Sequence, residues 1–500
     1  MNINSLSITQ DLKDLLIKQG YGDLYPPQDD AFRNGALEGE NLILTSPTAS
    51  GKTLVALVTA AKRVLDDDKK VVYLTPLRAL ASEKYEELKI LEKLKKKSGE
   101  LIKVYISSGD YDSSSDYLGS ADIVVMTNEK FDSVLRHGAT WLEEVSLYVA
   151  DEVHLIGGQD RGPTLEVTLA KILSLDPDAQ VLALSATISN ADVLSEWLDA
   201  KLINSDWRPI PLNEGVYHHG YIQFPNSPVE KVSSTGRGIP IDIATGVLNE
   251  GGQALIFADT RRRAVSLALK AAEITPSYLS KKIANEAKEA SRRIEDAGEE
   301  TGLTRTLSEV VACGSAFHHA GLDASRRKII EEIFRKGVVK ILTATPTLAA
   351  GVNLPARRVV LSSLTRYDSE RGGPMPIPVL DYKQMCGRAG RPKFDKYGET
   401  VIIASSEYDL AELTQRYING LPEPINSKLI ESGSLRTHLL ATISSLPGLK
   451  EDDVADLLSK TLAAKQYRET TVKSKTRSAL QYLERENLIE VRGKRFLATE

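Results

Sequence analysis

Cysteine is almost missing: there are two, Cys313 and Cys386, in a chain of 500 residues. Their wide separation argues against a disulfide framework and against a thiolate zinc site, and it points to a reducing, cytosolic setting. Long apolar runs are missing too. No stretch reaches the roughly 20 residues of a membrane span. The start, M-N-I-N-S-L-S, lacks the pattern of a secretory signal, so no membrane partner is expected. Nor is there an excess of positive charge, since 63 Lys and Arg stand against 68 Asp and Glu, a formal net charge of -5. The molecule is no polycation, and any contact with nucleic acid must rest on local basic surfaces. One candidate is 461–500, with nine Lys and Arg against five Asp and Glu, although a charged stretch is most often a solvated face.

What is present is a soluble globular composition, 42% hydrophobic and 26% charged, in a chain long enough for two to four domains. Short apolar runs alternate with helical patterns. In the first part the strand candidates are 41–46, 71–75, 102–106, 122–127, 147–150 and 181–185. Helical patterns between most of them predict an α/β fold with a parallel sheet covered on both faces. From about Trp207 to Pro240 the alternation stops and Pro, Gly and Ser accumulate, which reads as a boundary. It resumes at 254–258, 314–319, 340–345, 358–362 and 400–404, a second α/β domain interrupted by a charged, Ala-rich helix over 281–300. From about Leu421 helices (434–445, 450–460, 471–486) end in two short strands around Gly493, the signature of a winged helix. The expected domains are therefore 1–206, 207–420 and 421–500.

At 46–53 the chain reads S-P-T-A-S-G-K-T, preceded by the apolar run 41–46 and followed by a helical pattern. Strand, tight loop and helix aim backbone N–H groups and a helix N-terminus at phosphate oxygens. In that reading Lys52 reaches the β- and γ-phosphates and the Thr53 hydroxyl coordinates Mg²⁺. By itself the loop also fits a polar turn in an α/β protein. A second signal is L-Y-V-A running into D-E-V-H, which puts Asp151 and Glu152 at a strand's C-terminal end, where open α/β sheets bind ligands. Asp151 can hold Mg²⁺ through its water shell, and Glu152 can orient and deprotonate an attacking water. A third is Q-M-C-G-R-A-G-R at 384–391, which sets Arg388 and Arg391 three apart, on one face if helical, as positive charge for a γ-phosphate.

Together these segments resemble the superfamily-two helicases of the DEVH type, and within them the Ski-like branch and its archaeal DNA repair helicases. The resemblance covers nearly the whole chain. It rests on L-Y-P-P-Q (24–28), S-P-T-A-S-G-K-T (46–53), T-P-L-R-A-L-A-S-E-K-Y (75–85), T-N-E-K-F-D-S (127–133), D-E-V-H (151–154), S-A-T (185–187), F-H-H-A-G-L (317–322), A-T-P-T-L-A-A-G-V-N-L-P (344–355) and Q-M-C-G-R-A-G-R-P (384–392). This branch tolerates a small residue at Ser46, and Ala49 replaces a glycine that many relatives carry.

The resemblance implies two RecA-like domains in tandem, then the winged helix. ATP would sit on Ser46, Pro47, Thr48, Ala49, Ser50, Gly51, Lys52 and Thr53, with Gln28 reading the adenine edge. Gly351 and Asn353 would complete the pocket from the second domain, with Arg388 and Arg391 as arginine fingers. His154, Ser185, Thr187 and Gln384 would couple hydrolysis to domain movement. Arg78, Thr127, Glu129, Lys130, Arg261 and Thr345 would face single-stranded DNA through phosphate and sugar, with little sequence preference. One of His318 and His319 is expected to pack inward. The implied activity is an ATP- and Mg²⁺-dependent DNA helicase moving 3′ to 5′ on single-stranded and forked DNA, a monomer with repair or replication proteins as partners.

Between the last two motifs, 365–378 reads T-R-Y-D-S-E-R-G-G-P-M-P-I-P, and Gly372-Gly373 signals a hairpin. An ordinary surface loop would also fit, but in similar helicases a hairpin here splits the duplex, and that reading is favoured, with Tyr367 and Met375 as stacking or wedge candidates. Similar helicases also continue past the winged helix into a helical domain and a small terminal domain, whereas the sequence given stops at Glu500. ATPase activity is expected to survive that, with less support for processive unwinding. Three rivals share parts of the pattern: an RNA helicase of the same branch, an ATP-gated nucleic-acid clamp, and a small-molecule kinase, which leaves the second domain unexplained.

Overall fold

The apolar runs of the first domain form one sheet in a computed structural model that describes residues 1–108, 116–225, 227–346, 348, 354–368, 372–392, 394–446 and 448–499. Its strands are β1 (Leu42–Thr45), β2 (Lys70–Thr75), β3 (Val104–Ser107), β4 (Ile123–Thr127), β5 (Val145–Ala150), β6 (Gln180–Ser185) and β7 (Lys201–Asn204). The order is β3-β4-β2-β5-β6-β1-β7, and every pairing is parallel. Alternate residues such as Leu42, Leu44, Val71, Tyr73, Leu147, Val149, Leu182 and Leu184 join one buried cluster with the helix Lys52–Asp67. Strand β7 was not expected. It is an edge strand in which only Ile203 is buried, so it carries little apolar signal.

The stretch read as a boundary, 207–240, is only partly one. It holds β8 (Leu212–His218), β9 (Tyr221–Gln223) and β10 (Glu230–Lys231), which belong to the second sheet. Strand β8 reads L-N-E-G-V-Y-H and is held by parallel pairing to the last strand of that sheet rather than by an apolar run of its own. The other members are β11 (Ala254–Phe257), β12 (Ser315–His318), β13 (Ile341–Ala344), β14 (Arg358–Leu361) and, after a separate hairpin of β15 (Thr365–Asp368) and β16 (Gly373–Pro376), β17 (Gly398–Ile403). The sheet order is β10-β9-β8-β17-β14-β11-β13-β12. Leu255, Phe257, Leu342 and Val359 enter one buried cluster, and Ala254, Ile256, Ile341 and Val360 enter another, as expected of a sheet covered on both faces. The helix Lys281–Asp296 buries Ala287, Ala290 and Ile294, so the Ala-rich segment is docked by one face.

Two compact units result: Met1–Trp207 with Pro424–Glu500, and Arg208–Glu423. The C-terminal residues thus cluster with the first sheet instead of standing alone. They form helices Ser432–Ser445, Glu451–Ser459, Leu462–Gln466 and Glu469–Arg485 and an antiparallel sheet ordered β18 (Leu449–Lys450), β20 (Arg495–Ala498), β19 (Ile489–Arg492). The attachment is specific. Glu166, fully buried in the helix Gly162–Leu175, accepts from Ser427 Oγ at 2.6 Å and from the Ala463 N–H at 2.8 Å. Trp197 Nε1 donates to the Lys460 carbonyl at 2.7 Å, and Asn190 bonds the Ile425 backbone in both directions. Val167 enters the apolar cluster of the C-terminal helices.

Candidate nucleotide site and nucleic-acid face

Strands β5, β6 and β1 are neighbours, so the segments that leave their C-terminal ends meet at one edge. Those segments are D-E-V-H, S-A-T and the 46–53 loop. The Ser46 N–H donates to the Ser185 carbonyl at 3.2 Å, joining two of them. The loop folds around its own lysine: Lys52 Nζ donates to the Ser46 carbonyl at 2.7 Å and to the Pro47 carbonyl at 3.2 Å, and the Ser46 and Ser50 hydroxyls are 2.6 Å apart. Two residues turn left-handed here, Ala49 at φ 69 and Gly51 at φ 84. Glycine suits position 51, because φ 84 strains any residue with a side chain and a Cβ there would displace the Gln28 amide. Ala49 adopts a conformation that costs a non-glycine residue about 1–2 kcal/mol.

Gln28 is buried, and both ends of its amide are used within the protein. Oε1 accepts the Tyr25 N–H at 2.8 Å, capping the helix Pro26–Arg33, and Nε2 donates to the Gly51 carbonyl at 3.0 Å. In this geometry it braces the phosphate loop. The Tyr25 ring, 4.6 Å from that of Trp207, borders the same glycine.

Asp151 is buried at the end of β5. Its Oδ2 accepts from the Tyr73 hydroxyl at 2.9 Å and its Oδ1 from the Glu152 N–H at 2.9 Å. Burial, then the neighbouring Glu152, push its carboxyl up, while Lys84, the Tyr73 hydroxyl and Lys52 draw it down. Glu152 itself has φ 54, a strained conformation of the kind that collects at functional sites. His154 is buried and held down to about 3 by that burial and by the Lys52 charge. The ring is therefore neutral, and Nδ1 accepts the Ala186 N–H at 3.2 Å, tying D-E-V-H to Ser185–Thr187. Thr53 and Asp151 offer hard oxygen donors beside a phosphate loop, which fits Mg²⁺, a cation that takes one or two protein ligands and keeps waters.

Strands β2 and β4 are also adjacent, and their ends carry the other set of residues. Arg78 opens the helix Arg78–Leu88, and Thr127 caps the helix Asn128–Arg136 by accepting the Lys130 N–H. Glu129 lies in that first turn, 3.9 Å from Arg161, whose guanidinium donates to the Pro76 carbonyl at 2.5 Å. In the second unit Arg261 and Thr345 follow the neighbouring strands β11 and β13. His318 ends β13's other neighbour, β12, and His319 follows it; both are buried, so the expectation that one packs inward understates the case. His318 Nε2 lies 3.2 Å from Glu331, and His319 stacks on Phe317 and accepts the Gly321 N–H.

The helix Val379–Cys386 contains Gln384 and ends before the arginines, which stand in the following turn and not along a helix face. Arg391 is bound by Asp395 at 2.8 Å and by Gln253 at 2.9 Å. Arg388 is buried. Gly351 and Asn353 lie outside the described residues. The hairpin is present, with Tyr367 opposite Pro374 and Arg366 opposite Met375; Tyr367 is 72% exposed.

Four residues had drawn no attention as functional candidates: Tyr73, Lys84, Arg161 and Glu166. Lys84 lies inside T-P-L-R-A-L-A-S-E-K-Y, but the run S-E-K-Y-E-E reads as a solvated face. In fact its ammonium reaches Thr53 Oγ1 at 2.9 Å. Tyr73 sits in the continuous apolar run 71–74 of β2 and reads as core.

A parallel sheet whose adjacent strand ends gather a phosphate loop, an Asp-Glu pair and a second row of polar contacts, followed by another α/β sheet, defines a nucleotide-dependent helicase core. Known proteins agree: residues 25–194 match the DEAD/DEAH box helicase family, and 291–393 match the helicase conserved C-terminal domain. The chain belongs to the Hel308 family of ATP-dependent DNA helicases. It is 44% identical over its whole length to the ATP-dependent DNA helicase Hel308 of Methanocella arvoryzae, covering 67% of that protein. It is 42% identical over 93% of its length to the Caldivirga maquilingensis protein of that name, covering 61%, and 40% identical over 98% to that of Pyrococcus horikoshii, covering 66%. The chain thus spans about two thirds of the length of these relatives.

Proposed function

We propose that the chain is an ATP-driven, Mg²⁺-dependent DNA motor that moves 3′ to 5′ along one strand of a fork, as a cytoplasmic monomer serving DNA repair or fork processing. The observation that carries the reading is the meeting of Lys52, Thr53, Asp151, Glu152 and His154 at the ends of β1 and β5, beside the row Arg78, Thr127, Glu129 and Lys130 at β2 and β4. ATP would take over the Lys52 ammonium from the Ser46 and Pro47 carbonyls. Thr53 and Asp151 would hold Mg²⁺, which supplies charge neutralisation at the transferred phosphate. Glu152 orients and deprotonates the water, and the neutral His154 passes the local change to Ser185–Thr187. Arg388 and Arg391 are assigned to the γ-phosphate, Gly351 and Asn353 to the nucleotide pocket, and Gln384 to coupling. That role requires Arg391 to leave Asp395. Residues 421–500 are read as a winged helix, and Tyr367 as a wedge at the duplex junction.

Strand separation on forked duplexes with either a 3′ or a 5′ tail tests the proposal. Separation confined to the 3′-tailed fork, lost in Arg388→Ala, is expected. ATP-dependent binding with no separation of either fork would favour the clamp, and stronger action on an RNA strand would favour the RNA branch.

A further inference from the structure

The candidate site contains a second lysine that neither the phosphate loop nor the Asp-Glu pair calls for. Lys84 has a side chain only 9% exposed, and its ammonium is fixed on three sides. It donates to Thr53 Oγ1 at 2.9 Å and to Glu87 Oε2 at 3.0 Å, and it lies 3.8 Å from Glu83. Burial works against its charge, but Glu87, Asp151 and Glu83 outweigh that and keep it protonated. The ammonium therefore occupies the Thr53 hydroxyl, one of the two groups that fit Mg²⁺, and its charge is felt by the other, Asp151. It also belongs to the helix Arg78–Leu88, whose first residue is the candidate strand contact Arg78.

We propose that Lys84 and Mg²⁺ are alternative partners of the Thr53 hydroxyl, so that arrival of Mg²⁺ with nucleotide transfers Lys84 to Glu87 and loosens the tie between the phosphate loop and the Arg78 helix. The inference rests on the nucleotide reading of the 46–53 loop and adds a positioning residue to it. The reason is electrostatic and local. The ammonium stands 2.9 Å from Thr53 Oγ1, and a dication bound to that same oxygen would lie beside it and repel it. Glu87 is the built-in alternative, one turn along the same helix and already in contact. The tie links the nucleotide loop to a helix at the strand-contact edge, so exchange at Thr53 gives nucleotide a direct hold on that helix.

The test is binding of a fluorescent ADP analogue to the whole chain, titrated with MgCl₂ from an EDTA-treated start at constant ionic strength. Two variants push in opposite directions. Lys84→Gln removes the competing cation, and the Mg²⁺ concentration for half-maximal response should fall by about fivefold or more, at the low end of measured couplings between two ligands. Glu87→Gln removes the alternative partner while leaving Lys84 charged, and the same midpoint should rise. A merely structural lysine would lower thermal stability in both variants and leave both midpoints at the wild-type value, which would overturn the proposal. If Lys84→Gln does not fold, Glu87→Gln decides alone: a raised midpoint upholds the exchange, and an unchanged or lowered one overturns it. Failure of the wild-type chain to bind the analogue would instead overturn the nucleotide reading, and the exchange with it.

Discussion

Glu166→Gln probes how the C-terminal residues are joined to the first sheet. Glu166 is fully buried, and burial pushes its carboxyl from 4.5 up to about 7, even though Ser427 and the Ala463 and Leu462 backbone amides favour the charged form. A folded-state value above the unfolded one means that the folded protein binds the extra proton. Stability from this group is therefore fully present below about pH 4.5 and is lost as pH rises through about 7. Over pH 5 to 8 the loss is on the order of 2–3 kcal/mol, a change of some tens of fold in the opening equilibrium. Glutamine keeps the shape: its oxygen can face the Ala463 N–H and its amide can donate to the Ser427 hydroxyl. The assay is hydrogen exchange of the Ala463 amide, corrected for intrinsic rate, between pH 5 and pH 8. Wild-type protection should fall steeply across that range, and the Glu166→Gln profile should be flat. Parallel profiles in the two proteins would refute the reasoning.

Three further outcomes follow from single contacts. Gly51→Ala should abolish binding of the ADP analogue in a titration, since the new Cβ would sit 2.1 Å from Gln28 Nε2 at a φ of 84. Ala49→Gly should raise stability in urea unfolding by about 0.5 kcal/mol, the relief at φ 69 less the added entropy of the unfolded chain. Tyr73→Phe leaves Asp151 Oδ2 without that donor and should cost about 1.5–3 kcal/mol by the same measurement.

The sheets were largely legible because their strands are buried on both faces and read as short apolar runs. What escaped were strands whose stability comes from a partner. Strand β8 is interrupted by Asn213, Glu214 and Gly215 and is held by β17, while β7 buries one residue. The phosphate loop, Asp151 and Glu152 were legible because motif and strand end coincide within a few residues. Lys84 was not, because a charge on a helix carries no sign of which face it lies on until Thr53, 31 residues earlier, is folded against it. Glu166 was further still from view: its partners Ser427 and Ala463 lie 261 and 297 residues away. Gln28 shows a different limit. The resemblance gives its amide an adenine contact, and the fold adds what the sequence did not show: Oε1 caps a helix and Nε2 holds the Gly51 carbonyl.

ATP hydrolysis by the chain with no polymer, with single-stranded DNA and with RNA, set beside Glu152→Gln, tests the central claim most directly. The account predicts strong stimulation by DNA, weaker stimulation by RNA, and loss of both in the variant. Hydrolysis indifferent to either polymer, or undiminished in Glu152→Gln, would contradict it.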